Sequence, residues 1–365
     1  MKKKDSLAYT KVELTGKAAS RTKGASPARS PLKNRATLLG LAVLLGALLL
    51  AGMVAGFGCA PAPAPAPAES PDSEPAEPAE PADPPGADEA PFAVLIDQKE
   101  REVVIDARPE TLISLSPTKT EIAFALGLED RLVGVTDFCN YPPAAAEIQK
   151  VGGFADPNIE QIVALAPDLV LASSLHQEQV EKLEELSIPV LVLYARNVEE
   201  IYQGLEMVGE ATGNEAQAAE LVQSMQARLE AVQSRLDEQD PGEPLRVYYE
   251  VYSDPLMSAG GSTIIHQIIT LAGGENIFGG VGEDYPVVSA EAILESEPRV
   301  ILFPLYHGTA EFMIEEMQQR PGWAELPAVQ EGRIYGVHDD IFSRPGPRVV
   351  DAVEMAAEIL YPDLF

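Results

Sequence analysis

Cysteine is scarce in this chain of 365 residues, with Cys59 and Cys139 the whole complement. Two thiols rule out a disulfide framework and a thiolate metal cluster, and no C-x-x-C or H-E-x-x-H spacing occurs. Histidine is almost as rare. His176, His266, His307 and His338 stand far apart, which argues against a zinc or manganese receptor built on imidazoles. No glycine loop ending in Lys is present to cradle a phosphate, and no nucleophile and base stand at a recognisable spacing. The chain therefore reads as a non-enzyme without a resident metal. Basic charge is also missing from most of the length. The formal net charge is −31, yet residues 1–58 hold ten Lys/Arg against two acidic residues, so everything after them is more acidic still. Such a body repels nucleic acid and anionic membrane surfaces.

What is present begins with an address. Residues 38–58, LLGLAVLLGALLLAGMVAGFG, form an uncharged apolar run behind Lys33 and Arg35. The pattern predicts a secretion signal or a membrane anchor with its basic side in the cytoplasm. Cys59 follows Gly56-Phe57-Gly58, which resembles a bacterial lipoprotein processing site where Cys59 would become the acylated N-terminus. An uncleaved transmembrane helix is the rival reading, because the run is long for a cleaved signal. Either way the body is delivered outside the cell membrane and tethered to its outer face. Residues 60–91 are rich in Pro, Ala and acid and cannot build a core, so they predict a semi-extended spacer.

From Phe92 onward short apolar strands alternate with helical stretches, the pattern of α/β layering on parallel strands. Strands are expected at Thr111–Leu115, Leu132–Val135, Leu169–Leu171, Val190–Leu193, Arg246–Tyr252, Val300–Phe303 and Ile334–Val337. Between the first four and the last three lies a long helix, about Glu215 to Gln239. Its apolar positions Ala218, Leu221 or Val222, Met225, Leu229, Val232 and Leu236 recur at three- and four-residue steps. The division expected is a basic region over 1–37, the apolar run over 38–58 and a linker over 59–91. A first α/β lobe over 92–212, a connecting helix over 213–241 and a second α/β lobe over 242–365 follow.

An internal repeat at an offset of 131 residues joins the halves. Asn158-Ile-Glu-Gln-Ile-Val-Ala-Leu-Ala-Pro-Asp-Leu-Val-Leu171 matches Ser289-Ala-Glu-Ala-Ile-Leu-Glu-Ser-Glu-Pro-Arg-Val-Ile-Leu302 without a gap. Both read as N-cap, helix, proline break and buried strand. Glu160 and Glu291 hold equivalent places in the first helical turn, where the helix dipole alone favours an acid by about 0.3–1 kcal/mol. A local role and a shared functional role both remain open from the residues themselves. Aromatics precede each helix, Phe154 in the first half and Tyr285 in the second, and Tyr141 lies in another turn-rich loop. Loops after strands are where open α/β sheets place ligands.

The segments Ser114-Leu-Ser-Pro-Thr-Lys-Thr-Glu-Ile-Ala-Phe-Ala-Leu-Gly127, Asn140-Tyr-Pro-Pro143, Ala272-Gly-Gly-Glu-Asn-Ile-Phe278 and Phe342-Ser-Arg-Pro-Gly-Pro-Arg348 carry a resemblance. Across residues 108–361 the chain resembles the substrate-binding proteins of the ABC importers for cobalamin and ferric siderophores. The resemblance implies two Rossmann-like α/β lobes joined by a single long helix, with a ligand cleft between them. It implies a monomer that serves an ABC permease dimer. By position Thr118, Tyr141, Phe154, Tyr285, Phe342 and Arg344 are the ligand-binding candidates, and Glu160 and Glu291 the permease-docking pair. Phe154 and Tyr285 stand where the cobalamin-binding member has tryptophan.

The expected ligand is cobalamin or a related corrinoid, with a ferric hydroxamate chelate or haem as the alternative. A triply charged catecholate chelate needs a cluster of Arg or Lys, and Arg344 is the one basic residue expected at the pocket. Cys139 is read as a buried thiol, or as an upper ligand to cobalt. For haem, Tyr141, Tyr285 or a histidine would be the axial ligand.

Overall fold

A computed structural model describes residues 90–305 and 310–365 of the chain. Cys59, His307, the apolar run and the spacer lie outside the described residues. The chain enters through an antiparallel hairpin, β1 (Ala93–Ile96) and β2 (Glu102–Ile105). A first layered half follows, with β3 (Leu112–Ser114), α1 (Pro117–Ala125), β4 (Leu132–Val135), α2 (Ile159–Ala164) and β5 (Leu169–Ser173). It closes with α3 (Gln177–Glu185), β6 (Val190–Leu193) and α4 (Val198–Thr212). Its four strands pair in the order β4-β3-β5-β6, every pair parallel. Parallel strands are covered on both faces, which is why β6 reads Val-Leu-Val-Leu and is buried throughout.

Helix α5 (Glu215–Gln239) then runs 25 residues, roughly 40 Å at 1.5 Å per residue. Its buried positions are Ala218, Val222, Met225, Leu229, Val232 and Leu236, so Val222 rather than Leu221 takes the fully buried place. It packs against α4 on one side and α6 and α11 on the other.

The second half contains β7 (Leu245–Ser253), β8 (Leu256–Ser258), α6 (Ile264–Leu271), β9 (Gly274–Asn276), α7 (Ala290–Ser296) and β10 (Val300–Pro304). It ends with α8 (Ala310–Gln319), α9 (Pro327–Gln330), β11 (Ile334–Val337), α10 (Asp339–Phe342) and α11 (Val349–Leu360). The sheet order is β11-β10-β7-β8, with β9 beside β7 and only the β7–β8 pair antiparallel.

Side chains alternate across each sheet, and in both halves this sorts the core in the same way. Leu112, Leu169, Leu171, Val247, Val300 and Leu302 face one continuous core that includes the buried stripe of α5. Ile113 and Val170 face a separate core in the first half, and Tyr248, Ile301 and Phe303 another in the second. One core thus ties both lobes to the connecting helix.

The repeat holds in three dimensions. Asn158 and Ser289 cap α2 and α7, each side chain accepting an N–H three residues on at 3.1 Å. Even the strained turns coincide. Ala166 and Glu297, 131 residues apart, both take a left-handed backbone (φ 45° and 42°) just before a proline and a buried strand.

Candidate ligand-binding cleft

The first wall of the cleft, and the part of the second wall that follows β11, are built at the carboxyl ends of parallel strands, where open α/β sheets gather their loops. On the first lobe β3 ends at Ser114 and the chain turns into α1. Ser116 takes an extended backbone and accepts the Lys119 N–H on its side chain, while Pro117 opens the first turn. Thr118 and Lys119 are thereby set on the cavity wall, both buried.

The loop before α2 folds back at Gly152, whose φ is +101°; a Cβ there would lie 3.0 Å from the Asn158 nitrogen. This return presents Phe154 to the cavity. His176, wholly buried after β5, fixes that presentation. Its Nδ1 accepts the Ser173 N–H at 3.1 Å, so Nε2 carries the proton and donates it to the Phe154 carbonyl at 2.7 Å. The imidazole also meets the Phe154 ring edge to face, centroids 5.4 Å apart. Burial holds the His176 pKa below its ordinary value, against the opposing pull of the Phe154 carbonyl.

On the second lobe Gly260 and Gly261 run under the loop that carries Tyr285. A Cβ on Gly260 would sit 1.9 Å from the Glu283 carbonyl oxygen, so only glycine allows that approach. The Gly260 N–H donates to the Asp284 carbonyl at 2.8 Å, and the Ser262 hydroxyl donates to the Asp284 carboxylate. Tyr285 is then held against the cavity, its phenol pushed up by burial and by nearby Asp284 and Asp339.

The resulting cavity is about 640 Å³, within the range of small-molecule sites. Phe138, Phe154, Leu175 and Tyr194 line it from the first lobe, and Ile264, Tyr285 and Pro345 from the second. Phe138 is 62% and Leu175 69% exposed, an apolar surface left open to be covered. Asp284, Asp339 and Asp340 put acid on the second wall, while Lys119 and Arg196 put base on the first.

The structure sorts the expected residues. Thr118, Phe154 and Tyr285 meet at the one cavity. Arg344 lines it too, but its charge is already committed, at 2.8 Å to the buried Glu121 carboxylate and 2.6 Å to Asp340. Phe342 is not at the cavity. It is fully buried and stacked on Tyr249 at 6.3 Å, because α10 turns it inward towards the shared core. Tyr141 is not among the residues lining the cavity; the Arg348 guanidinium lies 4.0 Å over its ring, and the side chain stays exposed. Cys139 is buried, with the Thr120 and Thr136 hydroxyls 3.1 and 3.2 Å from its sulfur, and is not among the residues lining the cavity. Glu160 and Glu291 are exposed on the first turns of α2 and α7, as the repeat requires.

The expectation that Arg344 alone brings basic charge to the pocket is overturned by Lys119 and Arg196. Tyr194 was also missed, although it directly follows β6, at a carboxyl strand end. Lys119 had a signal as well: a cation in the first turn of a helix opposes the helix dipole.

Behind Arg344 at the cavity wall lies the buried Glu121. From α1 it receives Arg348 through two contacts of 2.8 and 2.7 Å besides Arg344, both arginines coming from the loop between α10 and α11. Asn140 adds hydrogen bonds of 2.9 Å to Asp340 and Arg344 across the same junction.

Residues 112–341 match the family of periplasmic binding proteins. The chain belongs to that family. It is 34% identical over 281 residues to the ABC transporter substrate-binding lipoprotein YvrC of Bacillus subtilis, covering 75% of this chain and 87% of that protein. The solved vitamin B12-binding protein BtuF of Vibrio cholerae is 30% identical with a TM-score of 0.60, covering 70% of this chain and 98% of that one. A periplasmic heme-binding protein, BhuT, solved with two hemes, is 25% identical with a TM-score of 0.62 over 70% of this chain and 99% of that one. This periplasmic binding protein is the extracytoplasmic substrate-binding component of an ABC importer, a transport part that works with permease and ATPase partners. Among the described residues no helix is long and apolar enough to cross a membrane.

Proposed function

We propose that this periplasmic binding protein captures cobalamin or a related corrinoid between its lobes and delivers it to a permease dimer. The observation that carries the reading is the placement of Phe154 and Tyr285, from opposite lobes, on one cavity. Aromatic faces on two sides suit a broad flat macrocycle, and such ring contacts contribute about 0.5–1.5 kcal/mol each beyond area burial. The vitamin B12-binding relative supports the same ligand class. The exposed pair Glu160 and Glu291 would meet the permease, one from each lobe, and Cys59 would carry the lipid that tethers the protein.

Haem is the second reading, favoured by the Tyr285 phenol at the cavity wall and by the heme-binding relative. Tyr285 would then be the axial ligand. Titration calorimetry of the full-length protein with cobalamin, haem and a ferric hydroxamate separates the two. A saturable one-to-one exotherm without turnover is expected for cobalamin. An exotherm with haem alone transfers the assignment to haem, and heat from none of the three overturns the receptor reading.

A further inference from the structure

Lys119 carries a charge on the first-lobe wall, and no counter-charge meets it among the described residues. The residue is 5% exposed and lines the cavity. Its ammonium makes no hydrogen bond and no ion pair among the described residues, whereas Arg344, Arg348 and Arg320 each meet a buried carboxylate. Two effects work against an ammonium there. Burial removes its water, lowering its pKa to about 8, and the first turn of the nine-residue α1 presents the positive end of the helix dipole. An unanswered cation at such a place is costly in the empty protein. The hydroxyls of Ser116, Thr118 and Ser174 share this stretch of wall and can donate to the same guest. The acids of the cavity stand on the other lobe.

We propose that Lys119 is the anion anchor of the cleft, receiving a peripheral oxyanion of the bound macrocycle while the aromatic walls cover its faces. The inference rests on the receptor reading above and names the group that reading lacks. An oxyanion at Lys119 supplies the missing counter-charge and, with the α1 N-terminus, fixes which edge of the ligand points into the first lobe. Two sources share the chemistry: the phosphodiester of cobalamin and the propionate carboxylates of haem.

The test uses the full-length protein and two ligand pairs, cobalamin against a corrinoid lacking the phosphate-bearing loop, and haem against its dimethyl ester. With whichever macrocycle binds, the native protein is expected to hold the anionic form at least tenfold more tightly than the neutralised form. Lys119→Gln should lose that preference, with affinity for the neutralised form kept within twofold, which also shows that the variant is folded. Lys119→Arg should keep part of it. Above pH 8 the native preference should decline as the ammonium loses its proton, and in Lys119→Gln it should stay flat. The other charged groups facing the cavity are Asp284, Asp339, Asp340, Arg196 and Arg344, and burial holds the nearby His176 below its ordinary pKa. A preference equal in the native protein and Lys119→Gln overturns the anchor and leaves the receptor standing. Silence toward both macrocycles overturns the receptor and the anchor with it.

Discussion

His176 touches no ligand surface, yet it decides where Phe154 stands. Its lone pair on Nδ1 is used by the Ser173 N–H and its proton on Nε2 by the Phe154 carbonyl, so protonation must break the first of these bonds. The pKa in the folded protein lies below the ordinary 6.5 because the ring is buried. The unfolded chain therefore binds more protons between that lowered pKa and 6.5, and stability rises with pH across this window and is lost as pH falls through it. Acidification from pH 7 to pH 5 should lower the thermal midpoint of the native protein more than that of His176→Gln. Parallel decline of the two midpoints would show that His176 is not the group responsible. At this scale the sequence was legible where a residue's role depends on near neighbours. Thr118, Phe154 and Tyr285 follow strand ends or N-cap signals and do reach the cavity. Tyr141 and Phe342 follow similar signals, but their partners, Arg348 and Tyr249, lie far along the chain, and no local pattern reveals those contacts. Lys119 was passed over because its meaning comes from burial without a partner, a property of the packed lobe.

The strands and the connecting helix were legible for a simple reason. Parallel strands buried on both faces are runs of Val, Leu and Ile, and α5 keeps one apolar stripe at three- and four-residue steps. All seven expected strands form, within a residue or two of their expected limits. Four further strands were not expected: β1 and β2, which pair only with each other, and the three-residue β8 and β9, which are too short to carry a period and pair with β7. The repeat at 131 residues was legible as matched N-caps, helices and prolines, whereas the left-handed turns at Ala166 and Glu297 before those prolines come from the backbone. The clamp was not. Glu121 reads as an ordinary helix acid, and only the fold brings Arg344 and Arg348 to it from more than 220 residues away. A buried carboxylate gripped by two guanidiniums holds one geometry far better than a surface pair. The clamp therefore fixes how α1 meets the loop between α10 and α11 beside the cavity.

As a whole the molecule is a pair of related α/β lobes that share one core through α5 and leave one aromatic cavity between them. The exposed acids on α2 and α7 sit at matched places on the two lobes, and the proposed docking role rests on that placement. Reversing both, Glu160→Arg with Glu291→Arg, should leave ligand affinity within twofold and reduce cellular uptake more than tenfold. Undiminished uptake by the double variant would remove the docking role and leave the cleft untouched. The cleft itself is tested most directly by measuring the affinity of Phe154→Ala and of Tyr285→Ala for the macrocycle that the native protein binds. Because each lobe contributes one wall, each variant alone should bind about tenfold more weakly, or about 1.4 kcal/mol. Native affinity in either variant would mean that the guest does not lie between the two lobes, and would contradict the account.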